Sequence, residues 1–122
     1  MSDALRTTEI KAFVPAKDFA LSKAFYADIG FTQASEGGGV AYFHRGSSSF
    51  LLQDHCVLAH AESLCMHLLV EDVHAWHRHL LERQIVEKYS VKLTDPIEQP
   101  WRMIDFSLTD PSGVCWRIAQ NI

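Results

Sequence analysis

Seven histidines in a chain of 122 residues are the first candidates for chemistry, because histidine binds metals, exchanges protons near neutral pH and contacts ligands. His67 alternates with Cys65 and Leu69, which places the three side chains on one face of a predicted strand. If that face lines a cavity, His67 contacts a ligand or acts as a general base; otherwise it is a hydrogen-bonded wall residue without chemistry. The spacing fixes no nucleophile or partner carboxylate beside it, so no catalytic residue is assigned.

The spacing of the other histidines and of the cysteines favours neither a metal site nor a disulfide framework. His74 and His77 are three residues apart on a predicted helix, but no third ligand is spaced to complete a metal site, so a solvated helix face is the prediction. The three cysteines are odd in number and lack a Cys-x-x-Cys motif. Each is predicted to be a small core residue in a protein of the reducing cytoplasm.

An arginine and an aspartate on neighbouring predicted strands are candidates for recognition of an anion. Cys115, Arg117 and Ala119 share one face of the last strand, and Asp105 and Ser107 share the corresponding face of the strand before it. Two interpretations stay open. Arg117 either pairs with Asp105 across the sheet or binds a carboxylate or phosphate of a ligand, since its guanidinium suits planar anions.

Two aromatic residues are candidates for apolar contact with a ligand. Phe13 shares a face of the first predicted strand with Glu9 and Lys11 and is the natural floor of a site. Trp101 follows Pro100 in a predicted loop, outside any core pattern. There it either stacks on a flat or cationic ligand or packs against a partner subunit.

Composition limits the classes of function. The chain is 48% hydrophobic and 21% charged, which predicts one folded domain over residues 1–122. The net charge of −4 and the lack of a basic run argue against a nucleic-acid partner. The longest apolar runs are too short to span a membrane, and the first residues lack an export signal, so a cytoplasmic protein without a membrane partner is expected.

The first half of the chain predicts a strand, a helix and three further strands. Asp18 is a predicted N-cap, and Leu21, Phe25 and Ile29 repeat at helical spacing up to Gly30. The predicted strands of this half cover residues 8–14, 31–36, 40–44 and 49–53, with a turn at 37–39.

The second half repeats this order after a predicted connector over residues 54–63. Asp72 is the second N-cap, followed by Val73, Trp76 and Leu80 on one helical face. The predicted strands cover residues 64–70, 85–88, 103–108 and 114–119, with a loop over 92–99 and a turn at 110–113.

The repeated order predicts an α+β fold of two tandem βαβββ modules, one over about residues 7–54 and the other over about 64–120. Each module would carry its helix on one face of its sheet and leave the other face bare. Two such sheets would form a curled mixed sheet around a cavity, with the helices on the outer face. A small-molecule site is expected there, either within one chain or across a dimer.

The same residues resemble the glyoxalase/bleomycin resistance protein/dioxygenase superfamily, also called vicinal oxygen chelate proteins. The first half carries Asp18, Ser22, the Phe25-Tyr26 pair and Gly30-Phe31 in the order typical of the family. The second half carries Val70-Glu71-Asp72 and the segment from Trp101 to Val114, which is similar to the family's Trp, Phe, Asp-Pro and Gly pattern. The resemblance covers about residues 8–120 and implies paired modules and a homodimer.

The resemblance also locates where metal-using members hold their ion. Those positions fall on Lys11, Cys65, Arg117 and either Leu52 or Gln53, the register of the fourth strand being open. Lysine and arginine are not usual ligands of a divalent ion and would repel it. No metal or other cofactor is therefore expected.

These observations predict a metal-independent protein that binds a small organic molecule, such as an antibiotic or a metabolite. It resembles most the bleomycin-resistance branch of the superfamily. The candidate ligand-binding residues are Lys11, Phe13, Gln53, Cys65, His67, Trp101, Asp105 and Arg117. The alternative is a lyase or dioxygenase-type enzyme that uses an atypical metal or a site built on His67.

Overall fold

The α+β class is confirmed by the structure, a computed structural model that describes residues 3–122. After a 3-10 turn at Asp3–Leu5, the first module comprises β1 (Phe13–Pro15), α1 (Phe19–Ile29), β2 (Thr32–Gly37), β3 (Val40–Arg45) and β4 (Ser48–Gln53). Its strands form one sheet in the order β1-β4-β3-β2. Strand β1 runs parallel to β4, and the other pairs are antiparallel.

The second module forms a separate sheet in the order β5-β9-β8-β6, with a further strand, β7, beside β8. Again the first strand, β5, is parallel to the last, β9. Its elements are α2 (Leu58–Ser63), β5 (Cys65–Leu69), α3 (Val73–Glu82), α4 (Ile85–Tyr89), β6 (Lys92–Leu93), β7 (Ile97–Gln99), β8 (Met103–Thr109) and β9 (Cys115–Asn121).

Both predicted helix caps are confirmed. The Asp18 carboxylate accepts the N–H of Leu21 at 3.1 Å, and the Asp72 carboxylate accepts the N–H of Ala75 at 3.0 Å. Gly30 ends α1 with φ of 124°, a conformation that favours glycine. The buried face of α1 consists of Ser22, Phe25, Tyr26 and Ile29, so the structure places Leu21 outside the core.

The prediction of a strand over residues 85–88 is wrong, because this segment is helix α4. Ile85 is fully buried, and α4 packs against α1 of the other module. The apolar pattern is too short to distinguish a strand from a helix, and the packing of Ile85 in the core favours the helix. The predicted loop over 92–99 instead supplies the strands β6 and β7, which both pair with β8.

Two further boundaries differ from the prediction. The first strand is confined to Phe13–Pro15 rather than residues 8–14, because it lies at a sheet edge and pairs only with β4, from Leu51 to Gln53. The predicted connector contains helix α2, whose Ala61 is buried in the core.

One aromatic core joins the modules. The Trp116 ring of β9 lies 5.6 Å from the Phe31 ring and 5.2 Å from the Phe50 ring, between centroids. The faces that carry the helices thus contribute to one core. The opposite face of each sheet carries exposed residues, including Phe13 and Leu69.

A charged cluster also ties the modules together. Asp28 at the end of α1 accepts hydrogen bonds from Arg83, Lys88 and Tyr89 of the second module. Burial opposes ionisation of Asp28, but the hydrogen bonds from Arg83, Lys88 and Tyr89 outweigh it and lower the pKa of the carboxyl.

Replacing Asp28 with asparagine is expected to lower the free energy of unfolding at pH 7 by about 1–2 kcal/mol, the lower part of the range for charged hydrogen bonds because Arg83 and Lys88 are half exposed. Because folding lowers the pKa of Asp28, its contribution is complete above the ordinary value near 3.8 and is lost as the pH falls through the lower folded value. Urea denaturation at pH 7 and pH 3 measures this, and an equal loss at both would contradict it.

Candidate ligand-binding site

The bare face of the second sheet brings together four of the eight candidate residues. It carries Cys65 and His67 of β5, Asp105 of β8, and Cys115 and Arg117 of β9. In the register of the strands, Cys65 lies beside Cys115 and His67 lies beside Arg117. Cys65 is exposed, so the prediction that it is a core residue is wrong, whereas its predicted place beside His67 on one face holds.

Arg117 and Asp105 form the cross-strand pair that the sequence left as one of two interpretations. Arg117 Nη1 lies 3.1 Å from Asp105 Oδ2, and the Gln99 amide donates to Asp105 Oδ1 at 2.9 Å. The hydrogen bond that Arg117 donates to Asp105 raises the pKa of Arg117. Asp105 is almost fully buried while the Arg117 side chain is 39% exposed. The remaining N–H groups of Arg117 therefore stay accessible to a ligand.

The bare face of the first sheet carries the remaining strand candidates. Leu52 is fully buried in the core, so Gln53, which follows it, points to the opposite face. This resolves the open register in favour of Gln53. Phe13 is 53% exposed on the same sheet, two residue pairs away from the Pro15–Gln53 pair.

A polar cluster that sequence reasoning missed surrounds Lys11. The Glu9 carboxylate lies 2.5 Å from Lys11 Nζ and accepts hydrogen bonds from the Tyr42 hydroxyl, at 3.0 Å, and from the Ser49 hydroxyl. Hydrogen bonds from Lys11 and Ser49 lower the pKa of Glu9 to about 2. Alternation in the sequence predicts that Glu9 and Lys11 share one face. It does not predict that Tyr42 of β3 and Ser49 of β4 approach Glu9.

The two cations of the candidate site are therefore each neutralised within the chain. Glu9 pairs with Lys11, and Asp105 pairs with Arg117. Their predicted repulsion of a metal ion is correspondingly weaker. These residues still do not suit a metal ion, because Lys11 and Arg117 are already paired with the nearest carboxylates. Across residues 3–122, no three His, Cys, Asp or Glu side chains are grouped closely enough to hold a metal ion. The residues at the family's metal positions do not fit that ion.

A groove runs between the modules and reaches His67. It has a volume of about 460 Å³ and is lined on one side by Glu9 and Ser49 and on the other by His67 and Leu69. A neighbouring groove of about 420 Å³ shares Leu69 with it and contains Trp76, over whose ring the Arg45 guanidinium lies 5.4 Å from the centroid. The sequence places Trp76 on one helical face with Val73 and Leu80 and does not predict this second groove.

Trp101 lies apart from the groove, in the turn between β7 and β8. Its side chain is 60% exposed, in agreement with the prediction that it is not a core residue. The turn is held by a hydrogen bond from the Ile122 N–H to the Arg102 carbonyl, at 3.0 Å.

Within the described part of the chain, no helix is both long and apolar enough to cross a membrane.

Solved structures similar to this chain define the class of protein. The chain has the fold of the glyoxalase/bleomycin resistance protein/dioxygenase superfamily, so the resemblance found in the sequence is confirmed. A bleomycin-binding protein, solved in complex with bleomycin, superposes with a TM-score of 0.81 and 25% identity over 95% of this chain and 100% of that protein.

Two further similar structures have lower identity. TnmS3, an antibiotic-binding protein from Streptomyces, has a TM-score of 0.76 and 23% identity over 97% of this chain and 99% of its own. A glyoxalase/bleomycin resistance protein/dioxygenase from Nocardioides has a TM-score of 0.72 and 15% identity over 97% of this chain and 86% of its own. No protein-family model matches the sequence. No curated protein matches it either.

Proposed function

We propose that this chain is a metal-independent binding protein that sequesters a small organic molecule, an antibiotic or a metabolite, on the bare faces of its two sheets. The observation that carries the proposal is the composition of these faces. They combine exposed apolar surface at Phe13 with hydrogen-bonding groups at Gln53, His67 and Arg117. Apolar contact area with a few polar groups is the usual makeup of a ligand site.

Charge balance on these faces narrows the class of ligand. The charge of Lys11 is compensated by Glu9, and the charge of Arg117 is compensated by Asp105. We infer a ligand with a flat or apolar portion and neutral hydrogen-bonding groups rather than a strongly charged one. The similar fold of proteins described as bleomycin-binding and antibiotic-binding supports an organic molecule of this kind. A thermal-shift screen against antibiotics and metabolites tests the proposal.

The enzymatic alternative has less support. A lyase or dioxygenase in this superfamily would need a metal at positions that here hold Lys11 and Arg117, both engaged in ion pairs. A site built on His67 alone would need a second acid or base. The neighbour of His67 across the strands is Arg117, which stays protonated at neutral pH and cannot accept a proton.

We further propose that two copies of the chain associate in the cytoplasm, so that the bare faces are shared between them. Strands β1 and β5 each lie at a sheet edge and have one unpaired side. Leu69 at the end of β5 is 52% exposed and lies in the groove between the modules. Exposed strand edges beside apolar side chains are stabilised by pairing with a second chain.

Sedimentation equilibrium at micromolar concentration is expected to give about twice the chain mass of 13.8 kDa. Leu69→Asp is expected to shift the protein towards the monomer, because a charge at an apolar interface must be desolvated. Leu81→Asp is the matched control, since Leu81 is an equally exposed leucine on helix α3. A wild-type protein that stays monomeric at high concentration would contradict the dimer.

A further inference from the structure

Two cysteines lie side by side on the bare face of the second sheet. The parallel register of β5 and β9 pairs Cys65 directly with Cys115, and both side chains lie on the same face of the sheet. Both are free thiols. The third cysteine, Cys56, lies before helix α2 and packs against the hydrophobic core. We call Cys65 and Cys115 the adjacent thiols.

The backbone around the adjacent thiols already suits a disulfide. Neighbouring strands lie about 4.7–4.9 Å apart. Disulfides join residues whose Cα atoms are about 4.4–6.8 Å apart. Because Cys65 and Cys115 are register partners with their side chains on one face, neither strand has to slide for a bond to form. Both strands are also held by continuous pairing from Cys65–Cys115 to Leu69–Ala119.

The surroundings give the adjacent thiols different roles in an oxidation. Burial raises the pKa of the Cys115 thiol, the neighbouring Cys65 raises it further, and the Arg117 charge opposes both. Cys65 is exposed, whereas Cys115 is half-buried. Cys65 is therefore the thiol that an oxidant in solution reaches first, and Cys115 is placed to react with the oxidised sulfur.

We propose that Cys65 and Cys115 are a site of reversible oxidation, which a hydroperoxide converts into a disulfide within one chain. The Cys65 thiolate attacks the peroxide oxygen, the O–O bond breaks, and the leaving oxygen takes up a proton as water or an alcohol. The sulfenic acid on Cys65 then reacts with Cys115, forming the S–S bond and releasing water. Two thiols are oxidised by two electrons, and the peroxide is reduced.

This inference does not depend on the proposed function, because its geometry belongs to one chain and needs no ligand or second copy. The thiol of a separate reductant reverses the reaction by thiol–disulfide exchange, which returns both cysteines to free thiols. The disulfide would sit beside His67 and Arg117, which follow the two cysteines by two residues on the same face.

The test uses the full chain carrying Cys56→Ser, because Cys56 and Cys65 fall on one tryptic peptide, residues 46–78. The reduced protein is treated with hydrogen peroxide, denatured, alkylated with iodoacetamide and digested. The expected product is peptide 46–78 linked to peptide 103–117, with both thiols protected from alkylation and both recovered after dithiothreitol. Non-reducing electrophoresis is expected to show the single-chain mass.

Two single variants on the same background, Cys65→Ser and Cys115→Ser, are the controls and should give no linked peptide. Full alkylation of both cysteines after peroxide would overturn the proposal. A linked peptide that appears only in a covalent dimer on the gel would also overturn it, since the bond would then join two chains.

Discussion

Replacing Tyr26 with phenylalanine is expected to lower the free energy of unfolding by about 2–4 kcal/mol, because the hydroxyl satisfies two buried polar groups at once. The Tyr26 hydroxyl donates to Asp110 Oδ2 at 2.5 Å and accepts the Trp116 indole N–H at 2.8 Å. All three side chains are buried. Burial raises the pKa of Tyr26, and the Asp110 charge adds to this, so the hydroxyl stays protonated and keeps donating.

The size of this effect follows from what the variant leaves behind. Asp110 keeps the backbone N–H groups of Ser112 and Val114 on its other oxygen. Burial already raises the pKa of Asp110, because the buried carboxylate is poorly hydrated. Its second oxygen would lose its partner, and the Trp116 N–H would lose its acceptor. Because Tyr26 and Trp116 belong to different modules, the variant weakens the junction between them.

Urea denaturation at one fixed protein concentration measures the loss, with Tyr42→Phe as the matched control. The Tyr42 hydroxyl donates to Glu9 on a half-exposed face, where water can replace it, so the control should lose less than about 1 kcal/mol. Equal losses for the two variants would contradict a buried junction through Tyr26.

Replacing Phe13 with alanine is expected to lower the affinity for the ligand about 10–100-fold, while the fold stays intact. Phe13 is 53% exposed in the free chain, so its ring adds little to the core and presents apolar area to a ligand. Covering such a side chain contributes about 1.5–3 kcal/mol, and each 1.4 kcal/mol corresponds to a tenfold change in affinity.

Isothermal titration calorimetry with a compound found in the thermal-shift screen measures the Phe13 effect. Leu21→Ala is the control, because Leu21 is an exposed leucine on helix α1, away from the bare faces. Its affinity should equal that of the wild type. If Phe13→Ala bound the compound as tightly as the wild type, the bare face of the first sheet would not be part of the site.

The features that the sequence predicts well are those set by local chemistry and periodicity. The two N-cap aspartates, Asp18 and Asp72, identified both long helices and the repeat itself. Alternation placed Cys65 with His67 on one face of β5, and Arg117 on the same face of β9, because strand geometry fixes side-chain direction.

The features that the sequence missed depend on contacts between distant segments. Residues 85–88 have a pattern that fits either a strand or a helix, and only packing of Ile85 and the ion pairs to Asp28 select helix α4. The polar cluster at Glu9 needed the approach of Tyr42 on β3 and Ser49 on β4, which no local pattern encodes. The burial of the two helix-bearing faces together likewise follows from the meeting of Trp116 with Phe50.

We propose that the chain binds a small organic molecule without a metal ion. The most direct measurement is the dissociation constant of a compound from the screen, determined by calorimetry on the same preparation before and after dialysis against EDTA, with metal content followed by mass spectrometry. We expect one unchanged dissociation constant and less than stoichiometric metal in both samples. Binding that is lost on dialysis and restored by a divalent ion would contradict it.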